Sequence, residues 1–121
     1  MPETVSTSVR GARGEERAAE YLRGQGWDIL ARNVRSRHGE VDLVAGRDDL
    51  LAFVEVKAWE SLGPADLEYA IGPAKRRRIR EAARLFLSRR PDLCGRRARF
   101  DVVLLGGDPL RVRHLEDAFT E

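Results

Sequence analysis

The sequence predicts a single α+β domain with its elements in the order α-β-β-β-α-β. Three observations carry this. A chain of 121 residues holds one hydrophobic core and no more. Two segments with apolar residues at helical spacing flank three successive segments rich in Val, Ile, Leu and Phe, with Gly/Asp turns between them. A proline heads the second helical segment at Pro73 and another closes it at Pro91.

Each element has its own signature. Residues 1–10 are polar and Ser/Thr-bearing and read as a flexible tail, with residues 11–121 as the domain. From Gly11 to Arg23 the pattern is helical: Ala18, Ala19 and Leu22 form the inward stripe, and Gly24 is placed to stop the helix. Glu15 shares that stripe whereas Glu16 does not, and a carboxylate on a core-facing stripe is costly unless something pairs with it. Trp27 to Val34 reads as the first strand, and a basic loop from Arg35 to His38 leads to Gly39. Glu40 to Ala45 is the second strand, and the turn at 46–49 leads into a third from Leu50 to Ala58. Residues 59–72 read as a loop with one helical turn. Pro73 to Ser88 is the second helix, with Ile79, Ala82, Ala83 and Phe86 inward and Arg76, Arg77, Arg80 and Arg84 off that stripe. Arg99 to Leu105 is a fourth strand, with a short fifth at 110–115.

Composition narrows the function classes. The longest uninterrupted apolar run, Leu50 to Val54, is far short of the roughly 20 residues a membrane span needs, so a soluble, cytoplasmic protein is expected. The single cysteine, Cys94, excludes an internal disulfide, and no Cys/His cluster has zinc-ligand spacing. Net charge is only +2, but residues 73–99 carry eleven basic groups against two acidic ones. Such a segment attracts polyanions, phosphate backbones above all; the plainer reading is a solvated arginine-rich helix. Of the 22 basic residues only Lys57 and Lys75 are lysine, which marks those two positions as places where a compact ammonium matters.

Strand alternation then selects a constellation. Phe53, Glu55 and Lys57 share one face of the third strand, and Glu40 and Asp42 share one face of the second, with Val41 and Leu43 opposed. A hairpin through the 46–49 turn sets Asp42 across from the neighbourhood of Glu55. Two close carboxylates repel one another, and a divalent cation relieves this; hard oxygen ligands suit Mg²⁺ or Mn²⁺. With Lys57 beside them, the group suits phosphodiester hydrolysis. The alternative is a cross-strand salt bridge of Lys57 with Glu55 or Asp42. Lys75 heads the inward stripe of the second helix, where a cation opposes the helix dipole unless an anion such as phosphate is bound. The alternative there is a lysine that snorkels past the helix end. His38, His114 and Cys94 lack partners at catalytic or metal-ligand spacing and read as structural or solvated.

Taken together, Gly14-Glu15, Ala18-Ala19, Tyr21-Leu22, Gly26-Trp27, Asn33, Gly39-Glu40-Val41-Asp42-Leu43-Val44, Phe53-Val54-Glu55-Val56-Lys57, Lys75 and Arg99-Phe100-Asp101-Val102 resemble the family of small bacterial proteins known as YraN or UPF0102. The likeness covers residues 11–119. That family is similar to the PD-(D/E)xK nucleases, among them the archaeal Holliday-junction resolvases. The resemblance implies a restriction-endonuclease-like αβββαβ core, with a mixed central sheet flanked by helices. It implies Asp42, Glu55 and Glu15 as metal-binding acids, Lys57 as the catalytic lysine, and Lys75 as a contact to DNA or phosphate; the basic charge of 73–99 adds Arg76, Arg77 and Arg80 on the same helix as nucleic-acid contacts. The expected activity is metal-dependent cleavage of DNA, branched DNA included, with a homodimer suited to a two-stranded cut. The alternative is a nucleic-acid-binding or protein-interaction module that keeps the scaffold without turnover. One departure stands out: Trp59 takes a position that is usually Arg or similarly polar in the family, where it would stack on a base or cover the sheet end.

Overall fold

The computed structural model describes residues 2–58, 72–107 and 109–119, with side chains from residue 13 onward. Its elements are α1 (Pro2–Gly24), β1 (Asp28–Arg35), β2 (Glu40–Arg47), β3 (Leu50–Ala58), α2 (Pro73–Ser88), a 3-10 turn (Pro91–Leu93), β4 (Arg97–Gly106) and β5 (Arg111–Phe119). This is the αβββαβ order, with the short fifth strand extended through Phe119. Trp59 and the rest of the loop expected at 59–72, Gly72 apart, lie outside the described residues. Helix α1 begins at Pro2, well before the start its apolar spacing indicates, because Ser and Thr do not forbid a helix that a proline opens. Its end also differs. Gly26, not Gly24, takes the left-handed cap (φ 92), with Gly26 N–H bonded to the Arg23 carbonyl and Trp27 N–H to the Leu22 carbonyl, both at 3.0 Å.

The strands form one sheet in the order β1-β2-β3-β4-β5. All neighbours run antiparallel except β3 and β4, which are parallel, and the crossover between them carries α2. Helix α1 covers one face, with Ala18, Ala19 and Leu22 packed among Leu43, Ala45, Ala52, Val54 and Val103. Helix α2 covers the other, with Ile79, Ala82 and Ala83 packed among Val41, Val44, Leu51, Phe53 and Phe100. Strand β3 is therefore buried on both faces, which explains why 50–54 is continuously apolar instead of alternating.

The feature that positions the site is a fork. Strands β2 and β3 pair from Arg47↔Leu50 to Leu43↔Val54 and then part. Strand β2 stays with β1 as far as Glu40, and β3 stays with β4 as far as Ala58. The strict alternation expected of β2 breaks here. Val41 packs with the α2-side core and Leu43 with the α1-side core, so they are not on one face as the period-2 pattern required. Opposite the break, Asn33 in β1 adopts a left-handed conformation (φ 51), which asparagine tolerates better than most residues.

Arg99 and Asp101, quoted above for the family resemblance alone, belong to the frame. Asp101 is fully buried and takes two bonds from the Arg99 guanidinium, at 3.0 and 3.1 Å, and one contact from His114 Nε2 at 2.7 Å. It also accepts the Asp117 N–H at 2.9 Å, beside the irregularity in the β4–β5 register. Burial pushes its carboxyl up, but these donors outweigh that and hold it below its ordinary value. Arg99 and Arg47 both lie over the Trp27 ring, at 5.3 and 4.4 Å, which closes the α1-side core at one end.

Candidate metal and nucleic-acid site

Asp42 sits in the fork. Its Oδ2 accepts the Val56 backbone N–H at 2.8 Å, so the side chain supplies an acceptor where the β2–β3 ladder has ended. This anchors Asp42 beside Glu55, the residue preceding that N–H. Burial, reinforced by the Glu55 charge, pushes Asp42 up to about 7. The pair expected from strand geometry is therefore assembled, and it is electrostatically uncomfortable.

Two ammonium groups face the pair. Lys75 Nζ lies 2.7 Å from Glu55 Oε2 and Lys57 Nζ lies 3.6 Å from the same oxygen. The anion that Lys75 needs at the helix N-terminus is thus a carboxylate of this chain, and the ammonium does not snorkel past the helix end. Burial, with the neighbouring Lys75 charge, holds Lys57 below its ordinary value. Burial also depresses Lys75, but its hydrogen bonds to Glu55 and Lys57 and the Glu55 and Asp42 charges together outweigh that and raise it.

Glu15 finds the partner its position on the stripe demands. With the Asn33 amide turned so that its nitrogen faces the acids, Nδ2 lies 3.2 Å from both Glu15 oxygens and 3.1 Å from Glu40 Oε2. Burial nevertheless raises the Glu15 carboxyl, with Asn33 opposing the shift. Asn33 entered the sequence reading without a role, although a half-buried acid on α1 called for a donor nearby. Among the described residues no three His, Cys, Asp or Glu side chains converge as a ready metal cluster. The acids that come together are Asp42 and Glu55, while Glu15 is tied to Asn33.

Asp42 lines two pockets, one on each face of the fork. On the α2 side a pocket of about 480 Å³ is walled by Arg35, His38, Glu40, Glu55, Lys75 and Arg78. On the α1 side one of about 410 Å³ is walled by Arg13, Glu15, Arg17, Lys57 and the apolar Val56, Leu105 and Leu110. The arginines expected along α2 divide their tasks. Arg76 lies over the Phe119 ring at 5.4 Å, Arg77 is exposed, and Arg80 is half-buried. Arg78, which the spacing did not single out, is the one that reaches the pocket.

The sequence matches the family described as uncharacterised protein family UPF0102 over residues 14–105. The chain belongs to the UPF0102 family. A UPF0102 protein of Azorhizobium caulinodans is 49% identical over 111 residues, covering 92% of this chain and 82% of that protein. One of Rhodopseudomonas palustris is 45% identical over 118 residues, covering 98% and 85%. One of Treponema pallidum is 40% identical over 116 residues, covering 92% of each. The UPF0102 match spans the site residues named here except Arg13, just before it, and Leu110, just beyond it.

Proposed function

We propose that this UPF0102 protein is a metal-dependent endonuclease acting on DNA, branched DNA among its substrates. The observation that carries the reading is the fork, where Asp42 is held against Glu55 with Lys57 and Lys75 beside them. Two hard carboxylates, one of them raised by burial and by the charge of the other, fit a divalent cation that completes its shell with water and phosphate oxygens. Asp42 and Glu55 would hold Mg²⁺ or Mn²⁺, which polarises a phosphoryl oxygen and lowers the pKa of bound water. Asn33 keeps Glu15 facing the same fork. Lys57, half-buried at the end of β3, offers an ammonium to the negative charge that grows on the phosphoryl oxygens as water adds and the P–O ester bond breaks. The basic segment 73–99, with Arg77 exposed and Arg78 in the pocket, suits the flanking phosphates.

Purified protein incubated with Mg²⁺ or Mn²⁺ and a panel of duplex, single-stranded, flap and four-way DNA tests this. Cleavage is expected on at least one substrate, with a loss of about 100-fold or more in Asp42→Ala and Lys57→Ala. No cleavage on any substrate, or cleavage unchanged by both substitutions, overturns it. One observation favours a second reading, a nucleic-acid-binding scaffold without turnover: Glu55 already has two ammonium neighbours and so is not short of positive charge. DNA binding with no calorimetric signal from Mn²⁺ would select that reading.

A further inference from the structure

The contact between Lys75 and Glu55 has a consequence that neither residue has alone. With Asp42 ionised, two carboxylates and two ammonium groups occupy the fork, and their formal charges cancel. A site balanced in this way has little net pull on a phosphate. It also offers a cation an acid one of whose oxygens, Glu55 Oε2, is already taken, at 2.7 Å, by a charged donor. A dication between Asp42 and Glu55 would leave the fork with a net charge of +2 and set Lys75 against a like charge. Lys75 is the group able to respond. It lies in the first turn of α2 on a flexible four-carbon stem, with its side chain 37% exposed, and it lines the pocket that also holds Arg35 and Arg78.

We infer that Lys75 is a resident counter-ion of Glu55, displaced toward the phosphate when a divalent cation binds, so that metal loading and grip on the nucleic-acid backbone are coupled through one side chain. The inference rests on the metal-dependent reading above. It assigns Lys75 a role that a plain phosphate contact would not have: in the metal-free protein its ammonium is spent on Glu55 and adds little to DNA affinity. By reciprocity, a cation that frees it must strengthen DNA binding, and DNA must strengthen cation binding by the same factor.

Two measurements on the full chain test this, and neither reads cleavage. In Mn²⁺ calorimetry without DNA, Lys75→Met should bind the ion at least about tenfold more tightly than the unsubstituted protein, because the competitor for Glu55 is gone. Lys75→Arg should restore the weaker binding. Arg78→Met, which removes a cation from the same pocket without touching Glu55, should change it by less than about threefold. In fluorescence anisotropy with a phosphorothioate DNA duplex, Lys75→Met should leave affinity within about twofold in EDTA and lose most of the gain that Mn²⁺ gives the unsubstituted protein. Equal Mn²⁺ affinity in the unsubstituted protein and Lys75→Met overturns the counter-ion role and leaves the metal reading standing. So does an equal loss of DNA affinity with and without Mn²⁺. Absence of Mn²⁺ binding in both proteins overturns both. A melting curve on each variant, with Lys75→Gln as a second neutral replacement, separates these results from misfolding.

Discussion

At the scale of single residues, Asp42 has two tasks that conflict. As an acceptor for the Val56 N–H it holds the fork together, and either a charged carboxylate or a neutral amide can do that. As a buried acid with the Glu55 charge beside it, it is penalised for ionising, which is why it is raised from 3.8 to about 7. The folded state therefore holds a proton on Asp42 that the unfolded chain has released. Between roughly pH 4 and pH 7 the unfolded state binds fewer protons than the native one, so this group makes stability fall as pH rises, and the loss is complete above pH 7. In metal-free buffer, Asp42→Asn should then be more stable than the unsubstituted protein at pH 8, by about 1–3 kcal/mol, with the gap closing toward pH 4. Urea denaturation at both pH values checks it. A substituted protein that is less stable at pH 8 would mean that Asp42 is ionised without penalty.

At the scale of elements, the close approach of β2 and α2 sets where Lys75 and Glu55 meet. Gly39, at the entry to β2, lies directly under α2. A Cβ there would come within 2.5 Å of the Arg78 carbonyl oxygen and 2.6 Å of the Arg78 Cβ. The first of those atoms is backbone and cannot swing aside, so the helix itself would have to move. Gly39→Ala should cost about 1–3 kcal/mol in urea denaturation, as overpacking does, and should weaken Mn²⁺ or DNA binding by shifting the first turn of α2. Unchanged stability and binding would mean that α2 does not rest on this position. A second pattern appears at the same scale. Asp42 at the β2–β3 fork and Asp101 beside the β4–β5 irregularity each accept a backbone N–H where the regular ladder is interrupted. In the first case the interruption opens a site; in the second, Arg99 and His114 seal it.

At the scale of the whole molecule, charge is divided along the chain. Residues 73–99 carry a net +9 while the flanking segments are acidic, so the basic surface follows α2 and the start of β4 and leaves the sheet face under α1 largely outside it. No helix of the described residues is long and apolar enough to cross a membrane. If DNA lies along the α2 side of the fork, removing Arg77 and Arg78 together should make the dependence of log K on log[salt] shallower by about 1–2, in proportion to the phosphates no longer neutralised. Anisotropy titrations at several salt concentrations measure this. A slope unchanged in the double variant would place the DNA elsewhere.

The sequence by itself determined the element order and the span of the central strand and second helix. Leu50–Ala58 and Pro73–Ser88 stand where their apolar runs and flanking proline and turn residues put them, because those signals are local. It also named Asp42, Glu55, Lys57 and Lys75, since a charge placed on an inward stripe or between apolar neighbours is conspicuous in one dimension. Which charge answers which was not legible there. Nothing local ties Lys75 to Glu55 twenty positions earlier, or turns Asn33 toward both Glu15 and Glu40. The parting of β2 from β3 after Leu43 is likewise invisible to a period-2 pattern, which assumes that pairing continues and so put Val41 and Leu43 on one face. Only the packed sheet decided these points: a fork arises where two strands follow different neighbours, and electrostatic partners are chosen by distance through space.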